Sequence, residues 1–360
     1  MIFNYVKLDK NEKIITKNSF NAKRNFNYGL AILKTLLAFS VVIAHNFKKK
    51  TTKNEIILKI TEDRKLHVPS FFIMSFYFTC NDLLSLNVKL LFKRMIRLLL
   101  PYISWPIIIF TINNIVNLKY KKKLFPDTFQ LLKLQLLWGS SYMAQFWFQW
   151  NLIVITFLFY IIKAIFQKNV LSILQFLLIL SYISQYSGYY YKNYFRKFPS
   201  YNKYTISRLF EMIPFGVTGI NLGLYKVIKY LQEVKVKTFI FSVVIYNVVK
   251  EYNIFTDIKG VSYYGINLNI ESICLIFIFS LFPLNNITNN FLKKLLVLLT
   301  NYTAGIFYLH VSVRNYLKYF INDIKNGTFF GLIINYFICY CICQFGMFFF
   351  SKTQFQYLFC

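Results

Sequence analysis

The sequence has few acidic residues and no segment suited to holding nucleic acid. Asp and Glu together number 13 against 42 Lys and Arg, which gives a formal net charge of +29. A charge of this size is typical of proteins that bind DNA or RNA, but here the cations lie in short loops between apolar segments and form no basic domain. The charge distribution therefore argues against nucleic acid as a partner.

The sequence also lacks the patterns of a secreted or metal-binding protein. Residues 1–27 are polar and contain no apolar run followed by small residues, so we expect no cleavable signal peptide. The segment CYCIC places neighbouring cysteines two residues apart, about 200° around a helix, which suits neither a metal cluster nor a disulfide. We predict no metal site, and we interpret the six cysteines as small apolar side chains: Cys80, Cys274, Cys339, Cys341, Cys343 and Cys360.

Long apolar runs dominate the rest of the sequence. Apolar residues make up 56% of the chain and aromatic residues 20%, and a helix needs about 20 mostly apolar residues to cross a membrane. The runs predict ten spans, at residues 28–47, 68–86, 98–118, 144–162, 170–186, 209–225, 238–249, 261–284, 295–321 and 328–350. The predicted fold is all-α, a polytopic transmembrane helix bundle of about ten spans. It comprises a polar amino-terminal segment at 1–27, a transmembrane domain at 28–350 and a short carboxyl-terminal tail at 351–360.

The first predicted span carries two polar side chains on one helix face. Lys34 and His45 are eleven residues apart, which is about 16 Å along the axis and roughly 20° in rotation. An ionisable group in hydrocarbon costs about 2.5–3.5 kcal/mol on insertion scales, so it normally faces a protein interior or a water-filled cavity. One cavity would explain both residues. The alternative is that Lys34 extends to one interface and His45 caps the other end of the helix.

Two arginines and a tryptophan stand close to the starts of later spans. Arg94 and Arg97 are three residues apart on one helix face, and their planar guanidinium groups suit either a phosphate or anionic lipid headgroups. Trp147 begins the fourth span. A tryptophan there belongs to an interfacial belt or packs beside a sugar or an adenine ring.

The ninth predicted span contains a second histidine with a cation. His310 and Arg314 are four residues apart near its middle, so they share a helix face. Two costly side chains on one face are hard to reconcile with lipid contact, and we predict that they line a polar cavity. We interpret His67, at the mouth of the second span, as a solvated interfacial residue.

The ordered set of these motifs resembles the membrane acyltransferase-3 family, polytopic enzymes that O-acylate sugars of cell-surface and other glycans. The similar segments are NYGLAILKTLLAFSVVIAH (27–45), HVPSFFIMSFYF (67–78), FKRMIRLLLPY (92–102), FWFQWNL, PFGVTGINLG and GIFYLH. The resemblance covers nearly the whole chain and implies an integral, multi-pass enzyme, which we expect in the plasma membrane. The sequence departs from the family pattern at three positions. Lys34 stands where the pattern has arginine, Phe76 where it has glycine and Gln149 where it has leucine.

The resemblance also implies roles for single residues. It makes His45 the catalytic histidine, with Lys34 beside it in the catalytic set, and it implicates Arg94 and Arg97 in binding the acyl donor. Three further residues are assigned to substrate or donor binding: His310, Arg314 and Trp147. No bound cofactor is expected, since acyl-CoA, in the first instance acetyl-CoA, is a co-substrate. The expected partners are this donor, a glycan or lipid-linked sugar as acceptor, and membrane lipid.

The residue types fit such a reaction. A sugar hydroxyl is a poor nucleophile until a base takes its proton, and imidazole has the near-neutral pKa that suits a base. Cations at Lys34, Arg94 and Arg97 can hold the phosphates of CoA or stabilise a developing oxyanion. Our hypothesis is direct transfer with His45 as base. A covalent acyl-enzyme on Ser75 or on a cysteine is the alternative.

Two other functions are compatible with the sequence. One is a transporter or flippase that moves a lipid-linked or anionic solute along a polar path marked by Lys34, His310 and Arg314. We find no convincing repeat between the two halves, although Pro214 with the nearby glycines favours a broken helix. The other is an inactive membrane scaffold.

Overall fold

The computed structural model describes residues 27–47, 66–120, 129–139, 144–194, 200–252, 266–281 and 289–359. Almost all of them are helical, and no strand occurs among them, so the all-α prediction is confirmed. The helices in chain order are α1 (Tyr28–Asn46), α2 (His67–Leu84), α3 (Val88–Tyr120), α4 (Phe129–Trp138), α5 (Trp147–Phe166), α6 (Val170–Tyr194), α7 (Ser200–Leu224), α8 (Val227–Leu231), α9 (Lys235–Tyr252), α10 (Ile266–Leu281), α11 (Asn290–Asn301), α12 (Thr303–Leu317), α13 (Asn322–Asn326) and α14 (Phe329–Phe350). Short 3₁₀ helices, Ala144–Phe146 and Gln354–Leu358, precede α5 and follow α14. The predicted amino-terminal segment lies outside the described residues, apart from Asn27.

Several helices are suited to a membrane. Within the described ranges, four are long and apolar enough to cross one: Tyr28–Asn46, Val88–Val116, Trp147–Phe166 and Phe329–Phe350. α11 and α12 pass the same test as a pair bent by 55°, which makes five. The predicted count of about ten spans is therefore not confirmed, although each of the ten predicted segments contains a helix.

The boundaries of two predicted spans were wrong. The helix at the span predicted for 98–118 begins at Val88 and runs to Tyr120 through Pro101 and Pro106. Arg94 and Arg97 therefore lie inside this helix and not on its flank. The span predicted at 295–321 is broken into α11 and α12. The break expected near Pro214 does not occur, because α7 continues through this proline.

Glycines allow α2 and α7 to pack closely. A Cβ at Gly219 would collide with the carbonyl oxygen of Ile73, and one at Gly223 would lie 2.6 Å from the Cβ of Cys80. The Cys80 thiol also donates to the carbonyl of Ile220 on α7, at 3.3 Å. Small residues let helix backbones approach each other in a membrane, where contact area and not water exclusion drives association.

The carboxyl-terminal residues fold back onto the bundle. The indole Nε1 of Trp105 on α3 donates to the carbonyl of Leu358 at 3.0 Å, and the same indole packs edge-on against Phe359 with ring centroids 5.8 Å apart. Gly346 on α14 leaves the space that the Phe359 ring occupies, since a Cβ there would collide with the ring. The last two described residues of the predicted short tail, Leu358 and Phe359, thus belong to the packed interior.

Candidate active site

Two histidines from opposite ends of the chain lie side by side. His45 is the penultimate residue of α1, and His310 lies near the middle of α12. Their ring centroids are 5.0 Å apart, and the ring planes are tilted by 52°. His310 is fully buried, whereas His45 is exposed. The structure therefore pairs a reachable imidazole with a hidden one.

The backbone around His310 determines which ring nitrogen carries the proton. Nδ1 lies 2.8 Å from the carbonyl oxygen of Phe307 and 3.2 Å from that of Ile306. A carbonyl only accepts, so Nδ1 donates, and in a neutral imidazole the lone pair is then on Nε2. This Nε2 is buried and has no hydrogen-bond partner among the described residues. An unsatisfied buried acceptor is costly, and such an atom calls for a specific explanation.

Asn335 ties together the helices that carry the two histidines. It is fully buried on α14, and its Nδ2 lies 3.2 Å from the carbonyl oxygen of His310 and 3.4 Å from Oδ1 of Asn46. Asn46 in turn donates from its Nδ2 to the carbonyl of Val42 at 3.0 Å. Sequence reasoning missed Asn335, although an amide inside an otherwise apolar span was a usable signal.

His67 joins the same region, contrary to prediction. The expectation of a solvated interfacial residue was wrong, because the whole first turn of α2 is buried and His67 is only 7% exposed. It lies close enough to His310 for their charges to interact, as does His45. The chain has three histidines, and all three are thus grouped. Among the described residues, no group of His, Cys, Asp or Glu has an arrangement that could hold a metal ion.

Aromatic rings connect this region to the rest of the bundle. Phe307 lies 6.0 Å from the His310 ring and 5.2 Å from Phe148 on α5, measured between centroids. Phe148 also packs edge-on against Phe72 on α2 at 5.0 Å. His310 therefore lies beside a cluster of aromatic rings from α2, α5 and α12.

The two arginines of α3 have different surroundings. Arg94 is buried, and it donates from Nε to the Thr156 hydroxyl at 3.1 Å, from Nη1 to the Ser75 carbonyl at 3.5 Å and from Nη2 to the Ser75 hydroxyl at 3.4 Å. Arg97 is exposed, with its guanidinium carbon 5.2 Å from the centre of the Tyr357 ring. Arg94 therefore joins α2, α3 and α5, and Arg97 keeps its guanidinium group at the surface.

Trp147, the first residue of α5, is half-buried and lies beside an arginine of another helix. The guanidinium carbon of Arg208 lies 4.2 Å from the centre of its ring, and Nε of Arg208 lies 3.8 Å from a carboxylate oxygen of Glu211. A cation over the face of an indole is a favourable arrangement, more so when it is buried. One face of Trp147 is thus covered by an arginine of α7.

Phe76, which stands where the family pattern has glycine, is accommodated by its neighbours. It is fully buried, packs edge-on against Phe159 at 5.2 Å and lies 5.0 Å under the guanidinium carbon of Arg94. Gly219 on α7 makes room for it, because a Cβ there would lie 2.9 Å from the Cβ of Phe76. The bulky ring is therefore part of the packing that holds Arg94.

Gln149, which stands in the place of a leucine, has hydrogen-bond partners on two helices. Its Oε1 accepts from the Tyr308 hydroxyl at 3.0 Å, and its Nε2 donates to the Leu98 carbonyl at 2.9 Å. This carbonyl lies near the turn of α3 in which Pro101 has no backbone N–H to donate. Gln145 donates to the Tyr308 carbonyl at 3.0 Å. Gln149 connects α5 to α3 and to the helix that bears His310, and Gln145 connects the preceding 3₁₀ helix to that same helix.

Lys34 and Arg314 lie on the helices that carry the histidines, one on each. Lys34 is half-buried on α1, about 16 Å along the axis from His45. Arg314 is half-buried one turn beyond His310, and its Nε has no hydrogen-bond partner within the described part of the chain.

Apolar helices long enough to cross a membrane, with buried polar side chains gathered between them, define an integral membrane protein with an internal polar site. The family model Acyl_transf_3, described as an acyltransferase domain, matches residues 27–351, and the chain belongs to this family. The protein is accordingly an acyltransferase that transfers groups other than amino-acyl groups. No match was found among curated proteins or among solved structures.

Proposed function

We propose that the protein is a plasma-membrane O-acyltransferase that moves an acyl group, in the first instance acetyl, from acyl-CoA to a hydroxyl of a carbohydrate or glycan. The observation that best supports this proposal is the pairing of His45 with His310, 5.0 Å apart. His45 is exposed enough to meet a substrate, and a histidine is a suitable general base at neutral pH.

The proposed reaction is direct transfer. His45 takes the proton of the acceptor hydroxyl while the hydroxyl oxygen attacks the carbonyl carbon of the thioester. The carbonyl oxygen then becomes an oxyanion. When this intermediate collapses, the carbon–sulfur bond breaks, and the thiolate of CoA takes the proton back from His45. The two proton transfers leave the enzyme unchanged.

The cations serve the charged end of the donor. Arg97 presents its guanidinium group at the surface, where it can hold a phosphate of CoA through paired hydrogen bonds. Lys34 lies about three helical turns from His45, too far to reach the reacting carbonyl, so we assign it to a distal part of the substrate. Arg94 holds the helix that carries Arg97. Arg314 and Trp147 are assigned to the substrates.

The test measures transfer of label from radioactive acetyl-CoA to candidate glycans by purified protein in nanodiscs. His45→Ala should lower the rate by roughly 100-fold or more, since a general base contributes about 10²–10⁴-fold. Asn247→Ala, a change at an exposed polar position of α9, is the matched control and should keep the rate. Equal rates for the two variants would contradict the role of His45.

One observation favours a second candidate function, a transporter or flippase for a lipid-linked or anionic solute. The break of 55° between α11 and α12 is the kind of interruption found at the substrate sites of secondary transporters. Uptake of an intact solute into liposomes that contain the protein, with no acyl transfer under any condition tested, would support this candidate over the enzyme.

A further inference from the structure

The starting observation is the buried lone pair of His310. Its Nδ1 donates to the Phe307 carbonyl at 2.8 Å, and its Nε2 has no hydrogen-bond partner among the described residues. A histidine that served only to fill space would be replaced at lower cost by an apolar side chain, because a buried acceptor without a donor is destabilising.

The neighbour that can satisfy this lone pair is His45. Its ring centroid lies 5.0 Å from that of His310, and the ring planes are tilted by 52°. Hydrogen bonds in active sites are often long before the substrate binds and shorten in the complex. Asn335 fixes the distance between the two helices through its bonds to the His310 carbonyl and to Asn46.

We propose that His310 is a positioning residue, which accepts a hydrogen bond from His45 through Nε2 and so directs the other ring nitrogen of His45, with its lone pair, to the acceptor hydroxyl. This inference rests on the proposed function, in which His45 is the base. An imidazole that accepts a proton is most effective when a partner holds it in one tautomer and stabilises the charged ring that forms. His310 supplies both without bringing a charge of its own into the buried site.

The experiment reads the tautomers of the histidines directly. The chain has only three histidines, so protein labelled with ¹⁵N-histidine in proteoliposomes should give three imidazole signals in solid-state NMR spectra. Replacing His45 and His67 by Gln, singly and together, assigns the His310 signal without altering His310. We expect His310 to carry its proton on Nδ1 with a bare Nε2, and we expect His45 to show a single tautomer.

Variants of His310 test the hydrogen bond. His310→Leu removes the acceptor and should leave His45 as a mixture of both tautomers, whereas His310→Gln offers an amide oxygen in its place and should restore one tautomer. The matched control is Asn269→Leu, which removes an equally buried amide that donates to Thr218 at 2.9 Å on other helices. This control should leave the His45 tautomer unchanged even if it lowers stability.

A proton on Nε2 of His310, or a His45 tautomer that does not respond to His310→Leu, would overturn the inference.

The kinetic arm uses acetyl-CoA as donor, and His310→Leu should lower kcat by roughly 100-fold with KM for acetyl-CoA within about twofold. Unchanged kcat with the expected tautomers would also overturn it. Absence of transfer by the wild-type protein, with the tautomers as expected, would count against the proposed function and not against the histidine pair.

Discussion

Arg94 and Arg97 offer a matched pair of substitutions that separates support of the fold from binding of the donor. Both are on α3, three residues apart, and Lys in either place keeps the positive charge but loses the planar fork of donors. Arg94 donates to Thr156 and twice to Ser75, whereas Arg97 is exposed. The two substitutions should therefore have opposite signatures.

The expected magnitudes follow from these contacts. A hydrogen bond to a charged group contributes about 1.5–3 kcal/mol, so the net loss of one such bond in Arg94→Lys should lower stability by about 2 kcal/mol and the Tm by about 4 °C. Arg97→Lys should change stability by less than about 0.5 kcal/mol, as an exposed substitution does. A loss of about 1 kcal/mol in phosphate binding corresponds to a KM for acetyl-CoA about fivefold higher in Arg97→Lys.

The assay has two parts on the same detergent-purified samples. Size-exclusion profiles after heating at graded temperatures give the Tm under one fixed protocol, and radioactive acetyl transfer gives KM and kcat. The reasoning fails if Arg94→Lys is as stable as Arg97→Lys, because the buried network would then contribute nothing. It also fails if Arg94→Lys alone raises KM, which would place the donor phosphate at the buried arginine.

Three further experiments test the packing of the helices. Gly219→Ala should lower the free energy of unfolding by about 1–3 kcal/mol, because the new Cβ meets the backbone of α2. Gly216→Ala should lower it less, since a Cβ there meets only side-chain atoms at 3.1–3.2 Å, and thermal denaturation compares the two variants. Phe359→Ala should lower stability by about 3 kcal/mol, seen as a lower Tm, since its buried ring packs beside Trp105 and Phe350. A double-mutant cycle of Gln149→Leu and Tyr308→Phe should give a coupling free energy of about 0.6 kcal/mol. A coupling free energy of zero would contradict a stabilising hydrogen bond between the two side chains.

Much of the helical architecture could be predicted, but the helix ends could not. The dense apolar run starts at residue 98 and predicts a span from there, whereas α3 begins at Val88. The charged turn before that run belongs to a helix that starts at the Asn87 cap, whose Oδ1 accepts from the backbone of Lys89 and Leu90, and Arg94 in this turn has partners on α2 and α5. Such partners lie far along the chain and leave no mark on local hydropathy.

The histidine site was predicted in part. His45 and His310 were both singled out because ionisable groups are costly inside apolar helices, and the structure places them together. His67 was assigned to solvent because it lies at the end of an apolar run, and the burial of its helix end depends on neighbouring helices. The departures at Phe76 and Gln149 gained an explanation only when Gly219 and Tyr308 were seen beside them.

By itself, the sequence determined that this chain folds as apolar helices for a membrane and that a few ionisable groups lie among them. It could do so because each helix satisfies its backbone hydrogen bonds within its own segment, so composition over about 20 residues is enough. Only the tertiary structure decided that His310 faces His45, that Arg94 is buried while Arg97 is exposed, and that the last residues fold back onto α3. Those outcomes depend on how each helix is rotated and packed against residues remote in sequence, which no local pattern specifies.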